Sequence, residues 1–171
     1  MIKSFIIAAV TADGFIAKDS NHAAYWTSKE DKARFIEITK RAGAVVMGST
    51  TYQTLKRPLA ERLNIIYSRS KTFDGAETTQ AAPRDLLNQL AERGYKEVAI
   101  CGGSHIYTMF LQAHCVDTIY LTIEPKLFGT GISLFNESMN FDLIPVSTET
   151  TPTGTILIEY KVHYHGGKLT D

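Results

Sequence analysis

Two adjacent glycines, Gly102 and Gly103, form the part of this sequence that most directly suggests chemistry. They follow the apolar residues 98–100, which are typical of a buried strand, and they precede a segment from Ser104 to Gln112 with helical spacing of its apolar residues. A helix that starts directly after a strand presents unpaired backbone N–H groups and the positive end of its dipole, and both attract anions. Glycine lets the backbone approach such a ligand closely. The turn indicates a phosphate site, although an ordinary strand-to-helix connection would use the same residues.

Gly48 and Ser68 occupy comparable positions after two further apolar segments. Residues 44–47 run into Gly48, and residues 63–67 run into Ser68. Ligands of open parallel sheets bind beyond the carboxyl ends of the strands. Because Gly48, Ser68 and Gly102 all follow such ends, the sequence predicts one nucleotide-binding cleft at that edge of the sheet.

Strands and helices alternate along most of the chain. The capping-box spacing after Thr27 and Ser28 predicts the start of the first helix, and Pro83 opens a later one that ends near Gly94. This alternation predicts an α/β fold with a mainly parallel central sheet, helices on both faces and an antiparallel C-terminal hairpin. We expect one domain over residues 1–165 and a flexible tail at 166–171. The predicted strands are 4–11, 15–17, 44–47, 63–67, 97–101 and 118–123, with hairpin material at 155–165, and the predicted helices begin near 27, 49, 83 and 104.

The composition limits the class of protein. The 171 residues carry 18 basic and 18 acidic side chains, so the formal net charge is zero and no global field favours nucleic acid or an anionic membrane. The apolar runs are too short to span a bilayer, and the N-terminus lacks the pattern of a secretion signal. Cys101 and Cys115 have neither metal nor redox spacing, so we expect two free thiols in a reducing cytoplasm and no metal site.

Several motifs in the right order resemble the dihydrofolate reductase family over nearly the whole chain. The most specific are residues 57–66, Arg-Pro-Leu-Ala-Glu-Arg-Leu-Asn-Ile-Ile, and residues 46–52, Val-Met-Gly-Ser-Thr-Thr-Tyr. Residues 102–107 match the family's Gly-Gly-x-x-x-Tyr pattern, whose Gly-Gly bond is cis in the family. The other matching residues are 7–10, 13–17, Trp26, Asp31, Phe35 and 120–122.

The resemblance implies an enzyme of tetrahydrofolate synthesis and one-carbon metabolism. It would reduce 7,8-dihydrofolate to 5,6,7,8-tetrahydrofolate by hydride transfer from NADPH to C6, with protonation of N5. The resemblance assigns catalytic roles to Asp31, Trp26 and Thr122. Asp31 would accept two hydrogen bonds from the pterin and help N5 to be protonated. Thr122 would bond Asp31 and the pterin amino group, and Trp26 would hold an ordered water.

The resemblance also implies the binding surfaces. Phe35 and Leu55 would sandwich the pterin and aminobenzoyl groups, and the guanidinium of Arg62 would pair with the α-carboxylate of the glutamate tail. The implied substrate-binding residues are Ile7, Ala8, Asp31, Phe35, Leu55, Arg62 and Thr122. The implied cofactor-binding residues are Ala9 and Ile16 beside the nicotinamide, and Gly48, Ser49, Thr50, Thr51, Ser68, Arg69, Ser70, Cys101, Gly102, Gly103, Ser104, His105, Ile106 and Tyr107 elsewhere on NADPH.

Three departures from the family pattern leave alternatives open. Ser49 stands where the family usually has an arginine for the 2′-phosphate of NADPH, a charge that Arg69 or Lys71 could supply, so selection against NADH could be weak. Residues 27–30 replace the family's usual Leu-Pro before the acid, and with residues 41–44 and 125–131 they resemble the reductase domain of riboflavin biosynthesis and its stand-alone relatives. Those proteins share the fold and NADPH but reduce a ribosylamino-pyrimidine phosphate. The loop 18–24 also differs from the family's flexible lid.

Two alternatives to dihydrofolate reduction therefore remain. One is a riboflavin-type or orphan NADPH reductase of the same fold, and the other is a non-catalytic nucleotide-binding domain. In every case we expect a small-molecule ligand, no nucleic acid, no membrane, and a monomer or a weak homodimer.

Overall fold

The computed structural model describes residues 1–164. His165 and the predicted tail at 166–171 lie outside the described residues. The strands are β1 (Lys3–Thr11), β2 (Phe15–Ala17), β3 (Ala44–Gly48), β4 (Leu63–Tyr67), β5 (Glu77–Thr79), β6 (Glu97–Ile100), β7 (Thr118–Glu124), β8 (Ile132–Ser133), β9 (Asp142–Thr150) and β10 (Ile156–His163). The helices are α1 (Lys29–Ala42), α2 (Ser49–Thr54), α3 (Pro83–Glu92) and α4 (Ser104–Gln112), and a short 3₁₀ helix spans Ala24–Trp26.

An eight-stranded sheet in the order β5-β4-β3-β6-β1-β7-β10-β9 forms the centre of the molecule. The neighbours from β5 to β7 run parallel, and β10 joins β7 and β9 antiparallel. β2 and β8 pair antiparallel beside it. The predicted fold class, a mainly parallel sheet with an antiparallel C-terminal hairpin, is confirmed.

Helices cover both faces of this sheet because alternate residues of β1 point to opposite sides. Phe5 and Ile7 share a buried cluster with Ile38 of α1. Ile6 belongs to the other cluster, together with Phe110 of α4. The two clusters explain why the central strands read as continuous apolar runs.

The carboxyl ends of β3 and β6 are joined by backbone hydrogen bonds. The N–H of Cys101 donates to Val46 O at 2.8 Å, and the N–H of Gly48 donates to Gly102 O at 2.8 Å. β4 lies next to β3 in the sheet, so Ser68 follows the adjacent strand end. The three turns singled out in the sequence therefore lie along one edge of the sheet.

The sequence-based prediction expected an antiparallel hairpin at the C-terminus but gave no bounds for β9. All nine of its residues are exposed at the edge of the sheet, so it shows no alternation of buried and polar positions. Its partner β10 falls inside the hairpin segment predicted at 155–165. None of the helices in the described part of the chain has the length and apolar content for a membrane span.

Candidate active site

A large cleft of about 2130 Å³ runs along the carboxyl ends of the parallel strands. It contains almost the whole set of residues nominated from the sequence. Those lining it are Ile7, Ala8, Ala9, Ile16, Trp26, Asp31, Phe35, Gly48, Ser49, Thr50, Thr51, Leu55, Arg62, Ser68, Arg69, Ser70, Cys101, Gly102, Gly103, Ser104, His105, Ile106 and Tyr107. Thr122 is the nominated residue that does not line it.

Asp31 lies in the first turn of α1, where the helix begins beside the cleft. Ser28 is the N-cap, and its Oγ accepts the backbone N–H of Asp31 at 3.1 Å. Burial raises the pKa of Asp31, and the nearby charge of Glu124 raises it further. The hydroxyls of Thr122 and Thr27 bond the carboxyl group and partly oppose the rise. The cleft therefore contains a carboxyl group that holds its proton to a higher pH than an ordinary aspartate does.

Thr122 is only 1% exposed and lies behind Asp31. It pairs with Ala9 in the register of β7 and β1, which places it in the central part of the sheet. Its hydroxyl reaches the cleft only through the Asp31 carboxyl group. This position suits a residue that orients Asp31.

Glu124 and Arg34 also surround Asp31, and neither was nominated from the sequence. Glu124 is 1% exposed at the end of β7, where its carboxylate accepts hydrogen bonds from Ser28 N–H at 2.8 Å and Thr155 Oγ1 at 2.9 Å. Arg34 donates to the carbonyls of Leu121 and Ile158 and so fastens α1 to the sheet. A glutamate at a strand end and an arginine in a helix are common in any sequence, so neither residue type gave a signal.

Trp26 forms the cleft wall beside the 18–24 loop. Its ring packs edge-on against Phe128 with centroids 5.0 Å apart, and Lys126 Nζ donates to the Trp26 carbonyl at 2.6 Å. The indole Nε1 is buried and has no hydrogen-bond partner among the described residues. A buried N–H group of this kind is normally satisfied, so Nε1 is suited to a water or ligand in the cleft.

Arg62 is held in place by two hydrogen bonds. Its Nη1 donates to Thr39 Oγ1 at 2.7 Å, and its Nε donates to Ala60 O at 2.8 Å. Thr39 is fully buried in α1 and donates its own hydrogen to Phe35 O at 2.6 Å. The guanidinium is thereby oriented in advance at the cleft wall.

Gly102 requires glycine for two reasons. Its φ of +103° is unfavourable for a side chain, and an added Cβ would lie 2.9 Å from Tyr107 Oη. Tyr107 is buried, and its hydroxyl donates to Ile7 O at 2.9 Å. The Gly102–Gly103 peptide bond is cis. Together these contacts bring bare backbone to the cleft wall at the start of α4.

Two hydroxyl groups flank that turn. A Cβ at Gly103 would lie 3.1 Å from Thr51 Oγ1, so the start of α2 and the glycine turn are in close contact. Ser104 Oγ is buried and lacks a hydrogen-bond partner among residues 1–164. The turn offers polar hydrogens and open backbone at one place, as a pyrophosphate requires.

Cys101 contributes to the cleft wall as a thiol. Burial raises its pKa to about 12, and both cysteines are free. A thiol with this pKa stays protonated at neutral pH and is a poor nucleophile. This environment suits a small apolar side chain and not a reactive thiol.

Cations outnumber acids among the described residues of the cleft wall, although the whole chain has no net charge. This excess favours an anionic ligand or ligands. The cationic residues are Lys32, Lys56, Arg57, Arg62, Arg69 and Lys71, and the acidic residues are Asp19 and Asp31. Among the described residues, no group of three or more His, Cys, Asp or Glu side chains is arranged to hold a metal ion.

A family model and an individual relative both match this chain to dihydrofolate reductase. The family model for dihydrofolate reductase matches residues 3–143. The dihydrofolate reductase of Staphylococcus haemolyticus is 31% identical over 142 residues, and the match covers 82% of this chain and 80% of that protein.

Solved structures with the same fold include proteins of a different description. A pyrimidine reductase-like protein of Corynebacterium diphtheriae is 18% identical, with a TM-score of 0.78 and coverage of 95% and 92% of the two chains. A diaminohydroxyphosphoribosylaminopyrimidine deaminase/5-amino-6-(5-phosphoribosylamino)uracil reductase of Thermotoga maritima is 18% identical, with a TM-score of 0.76, covering 94% of this chain and 56% of that one. At this level of identity the likeness establishes the fold alone.

Proposed function

Because this chain belongs to the dihydrofolate reductase family of oxidoreductases, we propose that it reduces 7,8-dihydrofolate to 5,6,7,8-tetrahydrofolate with NADPH. The observation that carries the proposal is the position of Asp31, a half-buried carboxyl group with a raised pKa in a cleft where cationic side chains outnumber acidic ones. When bound, NADPH supplies the hydride that reduces C6 of the pterin. The protein must then orient the pterin and deliver a proton to N5.

Asp31 is suited to both of those tasks. In its ionised form it accepts hydrogen bonds from the amino and ring N–H groups of a pterin. Its raised pKa keeps a larger share protonated near neutral pH, which favours proton delivery toward N5. Thr122 orients the carboxyl group from behind. A water on the unpartnered Trp26 Nε1 would offer a route for the proton.

The rest of the substrate would lie between Asp31 and Arg62. Phe35 and Leu55 supply apolar walls for the pterin and aminobenzoyl rings, with Ile7 and Ala8 at the base of the cleft. Arg62, already fixed by Thr39 and Ala60, would bind the α-carboxylate of the glutamate tail.

The residues at the opposite end of the cleft suit NADPH. Gly102 and Gly103 leave space where a Cβ would intrude, and Ser104 offers a buried hydroxyl without another partner. These groups, with the Thr51 hydroxyl, would hold the pyrophosphate. The remaining contacts we propose are Ala9 and Ile16 with the nicotinamide, and Gly48, Ser49, Thr50, Ser68, Arg69, Ser70, Cys101, His105, Ile106 and Tyr107 with the other parts of the cofactor.

Arg69 and Lys71 would recognise the 2′-phosphate in place of the residue that Ser49 replaces. Both side chains are exposed at the cleft, in the turn after β4. Ser68 Oγ accepts the backbone N–H of Lys71 at 2.9 Å and so shapes this turn. Since exposed cations are screened by salt, we expect the preference for NADPH over NADH to weaken as ionic strength rises.

The reduction of a phosphorylated ribosylamino-pyrimidine is the second candidate. The observation that favours it is the number of cations at the cleft, because Lys56 and Arg57 could bind a sugar phosphate as readily as Arg62 binds a carboxylate. The fold shared with pyrimidine reductase-like proteins is compatible with this alternative.

A substrate comparison distinguishes the two candidates. Purified protein is supplied with NADPH and either 7,8-dihydrofolate or 5-amino-6-(5-phosphoribosylamino)uracil, and NADPH oxidation is followed at 340 nm. We expect oxidation that depends on dihydrofolate and a much smaller kcat/KM with the pyrimidine. The reverse ratio would replace the proposed function with the second candidate. Asp31→Asn serves as the matched control, because background oxidation by a contaminant would persist in it.

A further inference from the structure

Helix α1 begins with half of a capping box. In a complete box, the N-cap side chain accepts the N–H of the third helical residue, whose own side chain accepts the N–H of the N-cap. Here Ser28 is the N-cap and Asp31 is the third residue, and Ser28 Oγ does accept the Asp31 N–H. The reciprocal bond is different, because Ser28 N–H donates to Glu124 Oε1 at 2.8 Å.

Glu124 is firmly held in this role. Its second oxygen, Oε2, accepts from Thr155 Oγ1 at 2.9 Å, in the turn between β9 and β10. Both carboxylate oxygens are therefore occupied, and the side chain is almost completely buried. Burying a carboxylate is costly unless hydrogen bonds compensate. A buried glutamate whose charge acts on the Asp31 carboxyl group calls for an explanation beyond stability.

We infer that Glu124 is a positioning residue that takes the Ser28 N–H in place of Asp31 and so keeps the Asp31 carboxyl group free for the cleft. The expected effect of Glu124 on catalysis rests on the proposed function of Asp31. Its effect on the position and pKa of the Asp31 carboxyl group does not. Without Glu124, the nearest acceptor by capping-box geometry is the Asp31 carboxylate itself. Capture by a backbone N–H would turn that group toward the helix start and stabilise its charged form.

The surroundings of Asp31 show why Glu124 can have this effect. The positive charge of Arg34 on α1 favours the ionised form of Asp31, whereas the negative charge of Glu124 on β7 disfavours it. Tyr107 on α4 also senses the Asp31 charge, which is among the causes that raise its pKa. Removal of Glu124 would therefore remove a repelling charge and release a competing donor, and both changes lower the pKa of Asp31.

Two substitutions separate these effects. Glu124→Gln removes the charge but keeps an Oε1 acceptor for the Ser28 N–H, whereas Glu124→Leu removes both. The pKa of Asp31 is measured in the ligand-free protein from the ¹³C shift of its labelled carboxyl carbon against pH. We expect a small downward shift in Glu124→Gln and a clearly larger one in Glu124→Leu. We also expect kcat at pH 8 to fall roughly tenfold in Glu124→Leu and much less in Glu124→Gln.

A second-site change tests the capture directly. Proline fits at position 28, because Ser28 already has a φ of −66°. The preceding residue, Thr27, has the extended conformation that a residue before proline prefers. In Glu124→Leu with Ser28→Pro there is no N–H left to capture Asp31. The pKa of Asp31 should then return to the value seen in Glu124→Gln. A merely structural role for Glu124 predicts no such recovery.

Two further variants distinguish an effect on the Asp31 titration from a general loss of stability. Thr155→Val removes the other bond to the same carboxylate, and we expect it to lower stability while changing the Asp31 titration little. If Glu124→Leu does not fold, Glu124→Met replaces it in the comparison. Equal Asp31 titrations in Glu124→Gln and the apolar variant would overturn the inference. Because the titration needs no substrate, it holds or fails independently of whether dihydrofolate is the substrate.

Discussion

Ionisation of Asp31 is less favourable in the folded protein than in the unfolded chain. Burial disfavours its charged form, and the Thr122 and Thr27 hydroxyls offset this only in part. A group whose pKa is raised by folding stabilises the protein below its ordinary pKa, here 3.8, and this contribution is lost as the pH rises through the raised value. At neutral pH the side chain that we propose to be central to catalysis therefore lowers the stability of the fold.

Asp31→Asn should consequently slow turnover and stabilise the protein. We expect kcat with dihydrofolate to fall by roughly 10²-fold or more near neutral pH, while the Kd of NADPH changes little. The Tm of the variant should exceed that of the wild type at pH 7, and the difference should shrink as the pH falls toward 4. Thermal unfolding at several pH values checks this, and a lower Tm at pH 7 would contradict the environment described for Asp31.

Arg62 is expected to act on binding more than on chemistry. Arg62→Ala should raise the KM for dihydrofolate by about 10- to 100-fold with a smaller change in kcat, since a hydrogen-bonded charge pair contributes roughly 1.5–3 kcal/mol. Arg62→Lys keeps the charge but not the fork, and should recover only part of the loss. Arg57→Ala is the matched control, because Arg57 is an exposed arginine in the same wall. Equal effects at Arg57 and Arg62 would argue against a specific carboxylate site.

The element that the site depends on most is the turn between β6 and α4. Gly102 combines a positive φ with close contact to Tyr107, and the Tyr107 hydroxyl is bonded to Ile7 O on β1. Three elements therefore meet at one residue without a side chain. A change there should affect packing and the cofactor surface at once.

Gly102→Ala compared with Gly94→Ala tests this coupling. Both glycines have positive φ, +103° and +92°, but only Gly102 would place its Cβ against another residue. We expect Gly102→Ala to lose about 1–3 kcal/mol more unfolding free energy than Gly94→Ala, and to weaken NADPH binding as well. Urea denaturation and cofactor fluorescence measure the two effects. Similar losses of unfolding free energy in both variants would show that the contact between residue 102 and Tyr107 does not affect stability.

The elements also differ in how far the sequence could predict them. β3 and β4 are apolar throughout or nearly so, and their predicted positions agree with the structure within a residue. β5 has three residues and β9 is fully exposed, so neither has a hydrophobic pattern to recognise. The site residues also differ in whether a local sequence pattern reveals them. Asp31 was found through a motif, whereas Glu124 depends on contacts with Ser28 and Thr155 that are distant in sequence.

At the scale of the molecule, the cleft crosses the sheet edge and joins elements from both halves of the chain. Its walls come from β1, β3 and β4, from the turns after β3, β4 and β6, and from helices α1, α2 and α4. A ligand that binds there contacts parts that separate on unfolding, so binding should stabilise the whole domain. The positive charge of the cleft is balanced elsewhere, which leaves the chain neutral.

NADPH should therefore raise the Tm of the protein. At a concentration of 100 times its Kd, the added stability is about 2.7 kcal/mol, which corresponds to roughly 5–10 °C for a chain of this length. NADH at the same concentration should give a smaller rise, and Arg69→Ala should narrow the gap between the two cofactors. Equal rises with NADPH and NADH in the wild type would remove the role proposed for Arg69.

The most direct measurement is the fate of the hydride itself. Protein is incubated with NADPH carrying deuterium at both C4 positions and with 7,8-dihydrofolate, and the product is examined by NMR. The account predicts tetrahydrofolate with one deuterium at C6, formed by the wild type and strongly reduced with Asp31→Asn. If dihydrofolate remains unchanged while the protein binds the cofactor, the central claim is contradicted.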